Sequence, residues 1–497
     1  MMMMTNKNIN LTKEQEACVN YKGGDLLVKG VAGSGKSYVL LRRALKLYYD
    51  SDGEASIRIF TFTNALVQYT DELLQDKMGG KYIEVSTVDK YFQTIFEVIT
   101  KRKFYSADKK FMECISQAFY EHKKNSTNKK HRFYKVDSEY WCEEFIWIQE
   151  KCIKTEDEYL KTSRKGRGSQ IKIATESDKK MVWEIYSLTK KKMDMKKYKV
   201  WPGLYLFINE NKDKIPEEYK VDYVFIDEAQ DLTIGKLCAL KAITKKTITI
   251  AADMAQKIYK TTFTWKEVGI DIQGRSSKSL KKSFRSTKQI VLLAEDLAAI
   301  NRKDSSLKDE LTEAVFPDSE GPLPELYLFP SKVLEETFFV DYVKWLLKNK
   351  NFSQDTIGII CKTRKYFFHI RNLLSEARIK YQEIFRSKGY YPEWKLLVPG
   401  VKLVVAKSSK GLEFDTVLIP DFDEGAYPLI PYSIDEDQID EHILTERNLM
   451  YVEMTRARKR LIMFCTKRNQ SRFIKEFVAS HYSVTEYDDN LKVVSYY

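Results

Sequence analysis

Short apolar runs punctuate the chain, and longer segments of helical period separate them. Asp25–Lys29, Ile57–Thr63, Tyr223–Ile226 and Thr247–Ala251 each hold four to seven mostly apolar residues. Runs this short, bounded by turn residues, predict buried strands rather than helices. Thr12-Lys13-Glu14-Gln15 fits a helix-start capping box, and the chain from Tyr38 onward has helical spacing. From about Leu280 the same rhythm returns, with strands expected at Thr356–Cys361, Val401–Ala406, Thr416–Ile419 and Leu461–Cys465 and a turn at Gly321-Pro322-Leu323-Pro324. Strand and helix in alternation predict an α/β protein with parallel sheets. The stretch 101–199 lacks the strand rhythm and reads as a long helical insertion. The expected organisation is a first lobe over 1–100 and 200–279, interrupted by the insertion 101–199, and a second lobe over 280–497.

Charge sharpens this division. The 497-residue chain carries +13, and residues 101–200 alone contribute +11. Lys101-Arg102-Lys103, Lys123-Lys124, Lys129-Lys130 and Arg164-Lys165-Gly166-Arg167 lie among Phe104, Tyr105, Phe133, Tyr134, Tyr140 and Trp141. Basic groups interleaved with rings suit a single-stranded nucleic acid, whose backbone is anionic and whose bases stack. The competing reading is a solvated helical face. Apolar content excludes a disordered chain. The longest uncharged run, Ile59–Thr70, is too short and too polar to span a membrane. No apolar leader follows the Met1–Met4 run. Seven cysteines without C-x-x-C spacing suggest free thiols in a reducing, cytoplasmic setting.

The chemistry is most explicit at Gly30-Val31-Ala32-Gly33-Ser34-Gly35-Lys36-Ser37, a G-x-x-x-x-G-K-[ST] loop between an expected strand and an expected helix. Its glycines let backbone N–H groups surround phosphate oxygens, and the helix N-terminus adds positive potential. Lys36 is expected to neutralise the β- and γ-phosphates and the Ser37 hydroxyl to ligate Mg²⁺. Downstream, the apolar strand in Val221–Asp231 delivers Asp227 and Glu228 at its C-terminal end, where ligands of parallel sheets collect. One acid suits Mg²⁺ and the next suits the attacking water. The plain alternative for an acidic pair is a helix start.

In order along the chain, these residues resemble the UvrD/Rep family of superfamily 1 DNA helicases. Leu11-Thr12-x-Glu14-Gln15 is similar to the Q motif, which implies that Gln15 reads adenine. Thr61-Phe62-Thr63-Asn64 and Ser86-Thr87-Val88-Asp89 resemble DNA-contacting motifs, which implies contacts from Phe62, Thr63, Asn64 and Thr87. Asp227-Glu228-Ala229-Gln230-Asp231 resembles motif II. Ala252-Asp253-x-x-Gln256 resembles motif III with alanine for the usual glycine, and Gln256 would sense the γ-phosphate. Phe263 and Trp265 are the candidates for the base-stacking ring after it. Leu280-x-x-Ser283-Phe284-Arg285 resembles motif IV, with Phe284 for adenine and Arg285 for the γ-phosphate. Lys407-Ser408-Ser409-Lys410-Gly411-Leu412-Glu413 resembles motif V, with Lys407 in place of histidine, Gly411 in the nucleotide site and Glu413 on the ribose. Glu446-Arg447 and Tyr451-Val452-x-x-Thr455-Arg456 resemble motif VI, with Arg456 a second γ-phosphate arginine.

The resemblance implies two RecA-like lobes with ATP·Mg²⁺ between them. Gln15, Gly30, Gly33, Ser34, Gly35, Lys36, Ser37, Asp227, Glu228 and Gln256 would come from lobe one. Phe284, Arg285, Gly411, Glu413 and Arg456 would come from lobe two. It further implies a 3′→5′ motor on single-stranded or tailed DNA. The family's large second insertion would fall before motif V, where only Phe385–Gly400 is available. Three other readings stay open: a translocase that strips proteins but unwinds poorly, a motor subunit of a nuclease or phage-defence complex, and a P-loop ATPase that serves as an interaction protein without DNA.

Overall fold

The computed structural model describes residues 11–61, 67, 70–71, 74, 82–135, 138–162, 173, 175–253, 265–270, 272, 274–303, 315–352, 354–384, 399–430 and 439–496. Two parallel sheets organise the chain, as the alternation of short apolar runs and helices predicts. The first contains β1 (Leu26–Gly30), β2 (Ile57–Thr61), β3 (Glu84–Thr87), β4 (Val221–Ile226), β5 (Thr244–Ala252) and β6 (Ser277–Leu280). Its order is β3-β2-β4-β5-β1-β6, all parallel. Leu280 closes β6 beside Gly30, so the residues that follow, Lys281–Arg285, leave the first sheet directly over the phosphate loop.

The second sheet contains β7 (Glu325–Phe329), β8 (Thr356–Cys361), β9 (Tyr381–Ile384), β10 (Gly400–Val405), β11 (Phe414–Ile419), β12 (Ala457–Thr466), β13 (Ser483–Tyr487) and β14 (Val493–Tyr496). The order is β14-β13-β7-β12-β11-β8-β10-β9, and only the β13–β14 pair is antiparallel. Each sheet is covered on both faces. Leu40, Leu41, Ala44 and Leu45 of helix Lys36–Asp50 bury one side of the first, and Phe92, Ile95, Leu204 and Leu237 bury the other. Helix faces with apolar residues at three- and four-residue spacing make that burial possible. Ala32 of the phosphate loop belongs to the second lobe's core, packed with Ile290, Leu412 and Met454.

The insertion is helical, as its spacing predicts, but it is not one long element. Helices Asp108–Asn125, Ser138–Glu150, Glu156–Lys161 and Glu176–Met195 enclose a core of their own. That core corrects the expectation of ring-and-charge interleaving. Phe133 and Trp141 are fully buried within it, and Phe104 lies in the first lobe's core. Burial of the large rings outweighs any stacking role, because these rings supply most of the apolar area that holds the insertion together. Tyr105 alone of the described set is exposed, while Tyr134 hydrogen-bonds His122. Among the described residues, no helix is long and apolar enough to cross a membrane.

Candidate nucleotide site between the two lobes

The phosphate loop follows β1 and opens helix Lys36–Asp50. Gly33 and Gly35 hold φ of +72° and +82°, which L side chains rarely adopt. At Gly33 space is also lacking: an added Cβ would lie 2.4 Å from the Arg285 Cβ. The Phe284 N–H donates to the Gly33 carbonyl at 2.9 Å, so lobe two's motif IV segment rests on lobe one's loop.

Several polar groups of the loop are held by near neighbours in the fold, while Ser34 Oγ is buried without a hydrogen-bond partner among the described residues. Lys36 Nζ donates to the carbonyls of Gly30 (2.7 Å) and Val31 (2.9 Å) and pairs with Asp253 at 3.2 Å. Ser37 Oγ donates to Asp227 Oδ2 at 2.5 Å. Gln15 accepts from the Thr12 N–H through Oε1 and donates through Nε2 to the Ser34 carbonyl at 3.1 Å. Its amide thus closes the capping box and braces the phosphate loop at once. The helix that carries it is pinned by buried Arg43, whose Nη1 donates to the carbonyls of Cys18, Val19 and Tyr21. Sequence reasoning missed Arg43, which looks like any helix-surface arginine until the fold buries it.

Motif II leaves β4 with Glu228 at φ +56°, a left-handed conformation that costs energy for a side-chain-bearing residue. Gln230 Nε2 donates to Glu228 Oε2 at 2.6 Å, and Gln230 Oε1 accepts from the Asp253 N–H at 3.1 Å. Buried Lys410 of lobe two approaches Glu228 Oε2 at 3.5 Å. Burial alone would raise Glu228, but Lys410, then Lys36 and Arg456, outweigh it and hold the carboxyl below its usual range. Asp227 moves the other way, raised by burial and by the Glu228 charge beside it. Gln230 and Lys410 lie inside the two motifs, yet nothing in their spacing singles them out.

Arg285 and Glu413 pair at 2.7 Å. Burial alone would raise Glu413, and Arg285, with Arg456 and Arg458, keeps it low. Arg456 is 1% exposed, and burial together with the Arg285 charge pushes it down to about 10. It donates to the carbonyls of Val452 (2.8 Å) and Leu412 (3.3 Å), and the charges of Glu228, Glu413 and Asp253 act on it. Gly411 sits at φ +82° in the same segment, and Phe284 is 43% exposed beside the loop.

The remaining expected residues lie apart. Thr87 caps helix Val88–Thr100, accepting from the Lys90 N–H at 3.3 Å. Lys407 is exposed at the end of β10. Trp265 packs, partly buried, on the first lobe's core. Arg447 forms a bidentate ion pair with Glu476, both contacts at 2.8 Å. Phe62, Thr63, Asn64, Gln256, Phe263 and the Arg164–Arg167 run lie outside the described residues, as does most of Phe385–Gly400.

Residues 11–268 match the UvrD/REP helicase N-terminal domain, and residues 394–468 match the UvrD-like helicase C-terminal domain. The chain belongs to the UvrD/Rep helicase family. Among similar proteins, a probable DNA helicase of Mycoplasma pneumoniae is 25% identical over 280 residues, 52% of this chain and 48% of the relative. An ATP-dependent DNA helicase Rep of Buchnera aphidicola subsp. Schizaphis graminum is 49% identical over 71 residues, 14% of this chain and 10% of the relative. An ATP-dependent helicase/nuclease subunit of Lactobacillus gasseri is 29% identical over 111 residues, 22% of this chain and 9% of the relative. The chain thus spans about half or less of the length of these curated relatives.

Proposed function

We propose that this UvrD/Rep-family chain is an ATP-driven motor on single-stranded DNA that moves 3′→5′ and separates strands. The observation that carries the reading is convergence: Lys36, Asp227 and Glu228 of one lobe meet Arg285, Lys410, Glu413 and Arg456 of the other within one partly buried charge network. Such a site is complete only when the lobes are closed. A nucleoside triphosphate held by both lobes therefore favours closure, and its hydrolysis favours opening.

The roles follow from position. The loop amides and Lys36 bind the phosphates, with Lys36 exchanging its Gly30, Val31 and Asp253 partners for phosphate oxygens. Ser37 and Asp227 offer adjacent hard oxygen donors, a set that fits Mg²⁺ completed by phosphate and water. When bound, Mg²⁺ neutralises charge on the phosphates. Glu228, kept ionised, orients and deprotonates the attacking water. Arg285 and Arg456 offset negative charge that builds on the transferred phosphoryl group. Glu413 and Phe284 hold ribose and adenine. Thr87 and Lys407 would touch the DNA strand, and the basic insertion would add backbone contacts.

ATPase measurements with single-stranded DNA, duplex DNA, RNA and no nucleic acid test this. Strong stimulation by single-stranded DNA is the expected result, and equal rates in all four would overturn it. A second reading, a motor that works beside a nuclease, is favoured by the relatives whose names join helicase and nuclease.

A further inference from the structure

Tyr48, Tyr49 and Tyr82 form an aromatic step on the first lobe, away from the nucleotide site. The Tyr48 and Tyr82 rings stack with centroids 5.8 Å apart and planes 14° apart, and Tyr49 meets Tyr48 edge-on at 5.7 Å. Tyr48 is half-buried, but Tyr49 is 59% and Tyr82 72% exposed. Three rings held together in water need an explanation beyond chance scatter of single apolar residues. Tyr48 and Tyr49 end the helix that Lys36 begins, so they lie about 20 Å along its axis from the phosphate loop.

The surroundings decide what such a step would accept. A tight turn follows the helix, with Asp52 at φ +55° and Gly53 at φ +83°. Its geometry is fixed by the Gly53 N–H donating to the Tyr48 carbonyl at 3.0 Å and by Ser51 Oγ accepting from the Ala55 N–H at 3.1 Å. An added Cβ at Gly53 would lie 3.1 Å from the Tyr48 hydroxyl, so the turn lies against the rings. The turn presents Asp52 and Glu54, both exposed and without an ion pair among the described residues. Asp50 beside them is paired to Lys46 at 2.8 Å. Acidic groups next to exposed rings are out of character in a chain of net charge +13. They repel a nucleic-acid backbone and attract cationic side chains.

We propose that this step docks an extended segment of a partner protein that contains proline together with arginine or lysine. Proline rings lie flat on tyrosine faces, and a polyproline conformation is already ordered before binding. Guanidinium groups stack on the same rings and pair with Asp52 and Glu54. The proposal is independent of the motor reading, since the step contributes nothing to the nucleotide site.

The test uses the full chain and three fluorescein-labelled probes: a twelve-residue Pro-Pro-Arg repeat, the matching Pro-Pro-Glu repeat, and oligo-dT. Fluorescence anisotropy reads affinity and light scattering reads oligomeric state. The Pro-Pro-Arg probe is expected to bind and the Pro-Pro-Glu probe not to. The double variant Tyr49→Ala/Tyr82→Ala should weaken Pro-Pro-Arg binding by about tenfold or more, with ATPase and oligo-dT affinity unchanged. Asp52→Asn/Glu54→Gln should weaken it less and flatten its salt dependence. Absence of Pro-Pro-Arg binding to the unaltered chain, or binding that the tyrosine variant leaves intact, would overturn the proposal. Loss of a dimer in the tyrosine variant would assign the step to a second copy instead, and loss of oligo-dT affinity would assign it to nucleic acid; either result also overturns it.

Discussion

Lys410 Nζ of the second lobe lies 3.5 Å from Glu228 Oε2 of the first; the lysine is buried and the glutamate is 13% exposed. The ammonium is the largest of the charges that hold the Glu228 carboxyl low. The proposed base is therefore kept ionised by a residue it meets only when the lobes are together. Replacing Lys410 with methionine removes that charge and raises the Glu228 pKa. The base would then be ionised only at higher pH, so the acidic limb of kcat should move upward in pH. A pH profile of kcat at saturating single-stranded DNA measures it. An unmoved limb would separate Lys410 from the base.

Glu228→Gln keeps the shape of the site and removes the proton acceptor. Nucleotide binding should persist while turnover falls by about 10²–10⁴-fold. Lys36→Ala, by contrast, should weaken binding itself, because the phosphates lose their cation. Paired titrations of a fluorescent ATP analogue and single-turnover assays distinguish the two. Full-rate hydrolysis by Glu228→Gln would falsify the assignment of the base.

Gly33 is strained for any other residue and has no room for one. Its φ is +72°, and an added Cβ would lie 2.4 Å from the Arg285 Cβ, close to the backbone. Gly33→Ala should push the Phe284–Arg285 segment off the loop and lower kcat more than it lowers thermal stability. Calorimetry and ATPase on the same sample test this. A variant with normal turnover would show that the contact is dispensable.

Glu453 gives a pH dependence of known sign. Burial raises its pKa to about 7, against the opposing pull of Lys362 and the Tyr427 hydrogen bond. Its unfolded value is about 4.3, so between that pH and about 7 the native state binds more protons than the unfolded state. Stability from this group is present at low pH and is lost as pH rises through the window. Glu453→Gln mimics the protonated form and accepts the same Tyr427 hydroxyl. Its melting temperature relative to the unaltered chain should climb between pH 5 and pH 8. A constant difference would mean that Glu453 ionises normally.

Much of the fold is legible in sequence because apolar runs and glycine-bearing loops act locally. β1, β2, β4, β5, β8, β10, β11 and β12 are visible as apolar runs, within a residue or a few at their ends. β3 and β6 are not, since Glu-Val-Ser-Thr and Ser-Lys-Ser-Leu are polar strands at the two edges of a sheet, where one side faces water. β14 escapes notice for a similar reason, as an edge strand with Val493 and Val494 exposed. β7, β9 and β13 are also not among the expected strands, although β7 is a buried apolar run and β13 is a mostly buried interior strand. The ring-rich insertion misleads because composition cannot tell a buried Trp141 from a stacking one. Within the site, the phosphate loop and Asp227–Glu228 are explicit. Lys410 and Arg43 act through partners distant in sequence, and Gln230 ties its near neighbour Glu228 to the distant Asp253 backbone, so no local pattern announces these residues.

Directional movement driven by ATP is the central claim. Displacement of streptavidin from biotin at one end of a single strand measures it most directly. The expected result is ATP-dependent release from the 5′ end, little release from the 3′ end, and none with Glu228→Gln. Equal release from both ends would contradict the polarity, and failure to release streptavidin from either end, by a chain that hydrolyses ATP, would contradict the motor.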